Sequence, residues 1–224
     1  MILRVLGVDT SREMGSVALV DSAGGLTKRR MEPGGGHGQR IFYEIEELLR
    51  DCGVALEEVD GFAAGAGPGS FTGVRIALAA VKGLAEAQGK PVFGVSNLQA
   101  LAWHGVGALR AAVMDARREQ IFGALYGAGL ERVGEETVGP MADWVASLPP
   151  GEIEFVTADP VLLEEGLRGT GREASPRRQA PASLAVAVAR IALARMEAGE
   201  PGSGVELDAN YVRRSDAEMN WQDR

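Results

Sequence analysis

The sequence predicts an α/β protein made of two similar lobes, and three observations support this prediction. In the first half, apolar residues alternate between strand-like runs and helical spacing in the order β-β-β-α-β-α. The second half opens with the same strand–turn–strand pattern. The chain has 224 residues, of which 46% are hydrophobic and 24% charged, so it can bury one large or two small cores.

The first half contains most of the regular pattern. Strands are predicted at residues 2–8, 16–20, 26–31, 62–65 and 91–95, and helices at 37–50, 71–88 and around 98–102. Gly53 and Gly89 follow the two long helices, where a left-handed glycine commonly ends a helix. The run at 33–36 combines Pro with three Gly and predicts a loop.

The second half is patterned less strongly. Strands are predicted at 110–114, 121–126, 131–138 and 153–157, and helices at 141–148, 160–167 and 183–198. Ser183 is the predicted N-cap of the last helix, which is expected to stop at 199–201. Residues 169–181 show no clear pattern. The expected lobes are therefore 1–105 and 106–224, the C-terminal segment being able to pack back on the first.

An internal similarity supports the duplication. When Asp115 is aligned with Asp9 without gaps, five of thirteen positions are identical: Asp9/Asp115, Arg12/Arg118, Glu13/Glu119, Ala18/Ala124 and Leu19/Leu125. Each match falls in a strand–turn–strand segment that opens one half of the chain. Shared hairpin chemistry is the alternative explanation. Around Asp115, the neighbouring charges at 117–119 predict an ion-paired turn.

Composition excludes several classes of function. The formal net charge is −8, which disfavours a broad nucleic-acid surface because polyanion binding needs surplus Lys and Arg. Cys52 is the one cysteine and His37 and His104 are the two histidines, so neither a disulfide framework nor a Cys/His metal site is expected. Without a membrane-length apolar run or a signal-type start, we expect a cytoplasmic protein with no membrane partner.

The first candidate site is the tripeptide Asp9-Thr10-Ser11 at a predicted strand end. A carboxylate and two hydroxyls on a tight turn can coordinate Mg²⁺ through water and donate to phosphate. The same residue types also form ordinary turns by hydrogen bonding to their own backbone. Both interpretations are open at this point.

The second candidate site is the glycine-rich segment that runs from Gly65 to Arg75. It precedes a long helix, whose free N–H groups favour an anion, with Arg75 close by. Ser70 or Thr72 can cap that helix. The segment is not a Walker A loop, because it lacks Gly-Lys-Ser/Thr. The alternative is a compact strand-to-helix connection. The candidate ligand residues of the two segments are Asp9, Thr10, Ser11, Gly67, Gly69, Ser70, Thr72 and Arg75.

These segments resemble the TsaB (YeaZ-type) family of the bacterial machinery that makes threonylcarbamoyladenosine in tRNA. The resemblance rests on I-L-R-V-L-G-V-D-T-S, G-A-G-P-G-S-F-T-G-V-R, P-V-F-G-V-S-N-L-Q-A-L-A, M-D-A-R-R-E-Q-I-F-G-A-L-Y and Y-V-R-R-S-D-A-E. It is dense over 1–126, returns at 208–218 and is faint between. It implies an actin/Hsp70/sugar-kinase-like fold of two ribonuclease-H-like lobes, the second smaller and degenerate.

The resemblance also implies a function without catalysis. Members of the family are thought to be scaffold or activator subunits that pair with TsaD, which transfers the threonylcarbamoyl group to the adenosine next to the anticodon, and with the ATPase TsaE. Contact with tRNA would be indirect. TsaD proteins carry metal-binding histidines at the positions of Asn97 and Leu101, so no metal and no required cofactor are expected here, while weak ATP or ADP binding stays open.

In the family, the partner surface is built largely from the first two helices of the N-terminal lobe. The candidate interface residues are Ile41, Ile45, Leu48, Val74, Leu78 and Val81, and the alternative is that they belong to the core. In isolation, the same surface would support a homodimer.

Two other functions compete with this interpretation. An ATP-dependent phosphotransferase of the sugar-kinase type would use Asp9, Thr10 and Asp115 around Mg-ATP, but the second half has no clear glycine-rich adenosine loop. A ribonuclease-H-type nuclease needs several clustered carboxylates, and Asp9 has no convincing companions.

Overall fold

The computed structural model describes residues 2–31, 37–210 and 212. The predicted loop at 33–36 lies outside the described residues. In chain order the strands are β1 (Arg4–Asp9), β2 (Gly15–Asp21), β3 (Leu26–Met31), β4 (Gly61–Gly65), β5 (Val92–Val95), β6 (Leu109–Asp115), β7 (Ile121–Gly127), β8 (Arg132–Gly139), β9 (Glu154–Thr157) and β10 (Arg177–Gln179). The helices are α1 (His37–Cys52), α2 (Phe71–Gln88), α3 (Asn97–Ala102), α4 (Met141–Ser147), α5 (Pro160–Gly166) and α6 (Ala185–Glu197).

The chain divides into two compact units whose boundaries differ from the expected lobes. The described part of the first unit consists of residues up to 97 together with 183–210. The second unit begins at Leu98 and contains the residues up to Ala182. The segment 183–210 was assigned to the second lobe with the option of packing back on the first, and it belongs to the first unit, because α6 packs on the sheet of that unit.

The first unit is built on a five-stranded mixed sheet in the order β3-β2-β1-β4-β5. The first three strands are antiparallel neighbours, while β4 and β5 run parallel to β1. Successive side chains of a strand point to opposite faces. Leu6 and Val8 therefore pack with α1 and α2, whereas Gly7 faces α6. A Cβ on Gly7 would stand 2.6 Å from the Ala185 carbonyl oxygen, so only glycine permits this close approach.

The second unit repeats the sheet order of the first. Its strands run β10-β9-β6-β7-β8, so β6, β7, β8, β9 and β10 correspond to β1, β2, β3, β4 and β5. The predicted duplication is confirmed by this correspondence. The helices α4 and α5 have seven residues each, against 16 and 18 for α1 and α2, which makes the second unit the reduced one. Trp144 fills its core, edge to face with Phe155 at 6.4 Å.

A buried carboxylate holds one loop of the second unit. Glu154 is 5% exposed and accepts the backbone N–H groups of Val106 and Gly107 at 2.6 and 2.8 Å. Its other oxygen accepts from Arg178 Nε at 3.2 Å. Burial alone would raise the pKa of Glu154, but the two backbone hydrogen bonds and the guanidinium outweigh it and lower the pKa.

One local prediction is wrong, and one short strand was not predicted. Ser183 does not cap α6, since the N-cap is Leu184 and makes no side-chain capping bond; instead Ser183 is buried. The small strand β10 lies within the stretch 169–181, which shows no clear pattern. It pairs with β9 through backbone hydrogen bonds, and no apolar alternation marks it because all three side chains are exposed.

Within the described residues, no helix combines the length and the apolar character that a membrane span requires.

Candidate functional site

The turn after β1 forms a closed hydrogen-bonded unit. Asp9, Thr10 and Ser11 are 0%, 0% and 2% exposed. Asp9 Oδ1 accepts the backbone N–H of Ser11 at 3.0 Å and its hydroxyl at 2.6 Å. This is an Asx turn, in which a side chain bonds the backbone two residues on. Asp9 Oδ1 and the Ser11 hydroxyl therefore bond each other.

The start of α2 packs directly against this turn. Thr10 donates its hydroxyl to the carbonyl oxygen of Gly73 at 2.6 Å, and Ser70 donates its backbone N–H to the carbonyl oxygen of Ser11 at 2.8 Å. A Cβ on Gly69 would stand 2.8 Å from the Ser11 carbonyl oxygen. The glycines of the segment thus allow two backbone segments to touch, which is the packing alternative that the sequence left open.

Several N–H groups at the start of α2 are already bonded within the chain. Ser70 caps the helix by accepting the backbone N–H of Gly73 at 3.3 Å, so of the two predicted cap residues it is Ser70 and not Thr72 that acts. The backbone N–H of Val74 bonds the Ser70 carbonyl oxygen at 2.9 Å. The guanidinium of Arg75 lies 3.7 Å from the centre of the Phe71 ring. An anion would have to compete with these contacts.

The predicted ligand residues are therefore brought together only in part. Asp9, Thr10 and Ser11 are buried, and the backbone of the exposed residues 69–70 contacts them. Gly67 instead faces the backbone of Asn210, whose carbonyl oxygen would lie 2.8 Å from a Cβ at that position. Both predicted hydroxyl donors of the turn have acceptors within the chain, so the nucleotide or anion site stays a prediction that this geometry does not favour.

Asn97 belongs to this network and was not among the predicted site residues. It begins α3 directly after β5, and it donates Nδ2–H to the Pro68 carbonyl oxygen at 2.9 Å and its backbone N–H to the Gly67 carbonyl oxygen at 2.8 Å. Asp9, Gly65 and Asn97 lie at the carboxyl ends of the parallel strands β1, β4 and β5. Because such ends meet at one edge of a sheet, a polar residue after β5 was the signal for this site.

The six predicted interface residues are wrong as surface positions. They all lie in the core between the sheet and helices α1 and α2, with exposures of 6% or less: Ile41, Ile45, Leu48, Val74, Leu78 and Val81. The helical spacing identified an apolar face correctly. That face is covered by the strands of the same chain and cannot meet a partner.

Other residues of the same helices are exposed. Phe42 and Tyr43 on α1 each have 55% of their surface accessible. On α2, Ala79, Gly83 and Ala87 lie four residues apart on one exposed face. We refer to these five residues as the α1–α2 surface. In the sequence, the position of Phe42 indicates this surface. Phe42 follows Ile41 and so lies about a third of a turn away from the buried face.

An ion-pair network fixes α1 on the sheet. Glu44 is 3% exposed and accepts Arg29 Nε of β3 at 3.1 Å and Arg40 Nη2 of its own helix at 2.8 Å. Arg29 also contacts Asp51 at 2.6 Å. These contacts tie α1, which carries the exposed aromatic residues, to β3.

The fold is α/β and actin-like, with two units that share one sheet order. The family model described as "TsaD: tRNA N6-adenosine threonylcarbamoyltransferase" matches residues 33–162. The structure of YeaZ from Pseudomonas aeruginosa is 30% identical with a TM-score of 0.73, and the match covers 93% of this chain and 99% of that one. The chain belongs to the TsaB/YeaZ family.

Two curated relatives agree with this placement. The tRNA threonylcarbamoyladenosine biosynthesis protein TsaB of Escherichia coli is 38% identical over 128 residues, and the alignment spans 55% of each chain. The protein of the same name from Bacillus subtilis is 28% identical over 235 residues, covering 98% of both.

Proposed function

We propose that the chain is a non-catalytic subunit for the synthesis of threonylcarbamoyladenosine in tRNA, which binds and positions a TsaD-type paralogue. The observation that carries this proposal is the closed state of the turn after β1. Thr10 and Ser11 are buried and donate to acceptors of their own chain. A phosphotransferase would need such hydroxyls, and the helix start beside them, to face its nucleotide.

The surface of the first unit supports a binding role. Large exposed aromatic side chains are costly to leave in water and are typical anchors of protein interfaces. Phe42 and Tyr43 are exposed on α1, and the exposed small residues of α2 leave room for a partner helix to approach closely. A TsaD-type paralogue is the partner because the relatives named above are TsaB proteins and the family model is that of TsaD. In its absence, a second copy would cover the same surface.

The proposal includes a TsaE-type ATPase as a further partner, indirect contact with tRNA and a cytoplasmic location. The net charge of −8 supports indirect contact, because it disfavours a broad phosphate-binding surface. No cofactor is required in this role. Weak ATP or ADP binding is tested by calorimetry with Mg-ATP, where turnover would favour the sugar-kinase alternative.

The decisive experiment is reconstitution. Purified chain alone is expected neither to modify tRNA nor to turn over ATP. Mixed with TsaD, TsaE, threonylcarbamoyl-AMP and tRNA, it is expected to restore the modified nucleoside. Full activity of the same mixture without this chain would refute the proposal. Size-exclusion chromatography with light scattering, with and without TsaD, tests the expected exchange of a homodimer for a heterodimer.

A further inference from the structure

Two buried oxygen atoms of the first unit have no hydrogen-bond donor. Within the described residues, Asp9 Oδ2 and Asn97 Oδ1 are buried side-chain oxygens without a partner. Both residues are 0% exposed. Buried acceptors are paired in nearly all proteins, since an unpaired one costs its full desolvation energy. A pair of unpartnered oxygens therefore indicates a group that these atoms bind.

The two side chains converge on the space beside Gly65. A Cβ on Gly65 would stand 2.4 Å from Asn97 Oδ1 and 3.1 Å from Asp9 Oδ1. Any side chain at this position would displace the amide and crowd the carboxylate. Because Gly65 has no side chain, the Asn97 amide oxygen and the Asp9 carboxylate can both lie close to the end of β4.

Charge determines which group fits. The donors that Asp9 has, the N–H and hydroxyl of Ser11, are neutral and bond Oδ1 only. A buried carboxylate without a compensating charge is strongly unfavourable. The remaining oxygens attract a cation and repel a phosphate. Oxygen-only donors of this kind suit hard cations, and one carboxylate with one neutral amide balances a single positive charge.

We infer that Asp9 Oδ2 and Asn97 Oδ1 bind a monovalent alkali cation, Na⁺ or K⁺, inside the first unit. The cation would join the turn after β1 to the start of α3, and through Asn97 Nδ2 to Pro68 of the glycine-rich segment. This structural role does not depend on the proposed partner. It also assigns to Asp9 a different ligand from the nucleotide considered above.

The first test is thermal unfolding of the purified chain in NaCl, KCl, MgCl₂ and choline chloride at equal ionic strength. Between absent and saturating Na⁺ or K⁺, we expect a saturable rise in Tm of about 2–4 °C beyond the choline control. Asp9→Asn removes the charge with little change of shape and is expected to abolish the difference. Glu86→Gln removes one charge from the exposed side of α2 and is expected to leave it intact.

The second test uses the wild-type chain, so it does not depend on whether the Asp9→Asn variant folds. Crystals of the wild-type chain are soaked in RbCl, and anomalous scattering locates the ion. A peak bonded to Asp9 and Asn97 is expected. Equal responses to choline and alkali cations, a water molecule in place of the peak, or stabilisation by Mg²⁺ alone would each overturn the inference.

Discussion

Thr10 donates its hydroxyl to the carbonyl oxygen of Gly73 at 2.6 Å, and Gly73 in turn has no room for a side chain because of Thr10. A Cβ on Gly73 would overlap the Thr10 carbonyl oxygen, at 1.8 Å. This mutual contact joins the first turn of the sheet to the start of the long helix α2. The glycine-rich segment, whose sequence resembles a ligand-binding loop, is therefore a packed strand-to-helix connection.

Because of this contact, we expect substitution by alanine to have opposite effects on stability at two glycines of α2. Gly73→Ala forces the helix away from the turn, and we expect it to lower the free energy of unfolding by about 1–3 kcal/mol. Gly83→Ala is the matched control, because nothing lies within 4 Å of its added Cβ. That change should raise stability by about 0.5–1 kcal/mol, the helix preference for Ala over Gly. Urea unfolding followed by circular dichroism measures both, and a stabilising Gly73→Ala would contradict the packing described.

The α1–α2 surface predicts a loss of binding without a loss of stability. Phe42→Ser is expected to weaken binding to a TsaD-type partner by about tenfold or more, since aromatic anchors commonly contribute over 1 kcal/mol. Its Tm should stay close to that of the wild type, because the ring is 55% exposed. Titration calorimetry measures the affinity. Val161→Ser, which alters a 58% exposed residue of α5, is the control and should bind normally. Equal binding by both variants would place the partner elsewhere.

The buried position of Leu78 predicts that its substitution lowers the stability of the protein. Leu78→Ala leaves a cavity in the core between α2 and the sheet, and the expected cost is about 2–5 kcal/mol of unfolding free energy. Ala79→Ser changes the adjacent exposed residue and should stay within about 0.5 kcal/mol. Chemical denaturation of the two variants distinguishes core from surface. An unchanged midpoint for Leu78→Ala would return this residue to the partner surface.

Glu154 predicts a pH dependence of the second unit. Because the folded state lowers the pKa of this carboxyl, the unfolded chain binds its proton more readily. The stabilisation is present above the ordinary value of 4.5 and is lost as the pH falls through the lowered pKa. Glu154→Gln removes that contribution and should cost about 1–3 kcal/mol at pH 7.

Urea unfolding between pH 7 and pH 3 checks this expectation. The stability difference between the wild type and Glu154→Gln should shrink at the acidic end. Glu152→Gln, at an exposed position two residues earlier, should follow the wild type at every pH. A constant difference between wild type and Glu154→Gln would show that the charge of Glu154 plays no part.

Local chemistry predicted most elements of the fold. The helix from Phe71 to Gln88 was delimited correctly, because Ser70 is a good N-cap and Gly89 adopts the left-handed conformation that ends helices, with φ of 61°. The strand β10 escaped prediction because its exposed side chains carry no apolar alternation. For α6, hydrophobic periodicity identified the helix but could not tell which sheet it covers, since a contact over long sequence distance leaves no local pattern.

The sequence by itself determined the alternation of strands and helices, the duplicated order and the residues that can form a site, because capping, periodicity and turn chemistry act over a few residues. Only the tertiary structure decided which other parts of the chain each of these features contacts. It buried the apolar face of α1 and α2 under the chain's own sheet and left Phe42 outside. It also brought Asp9, Gly65 and Asn97 together at one sheet edge, because parallel strands distant in sequence end side by side.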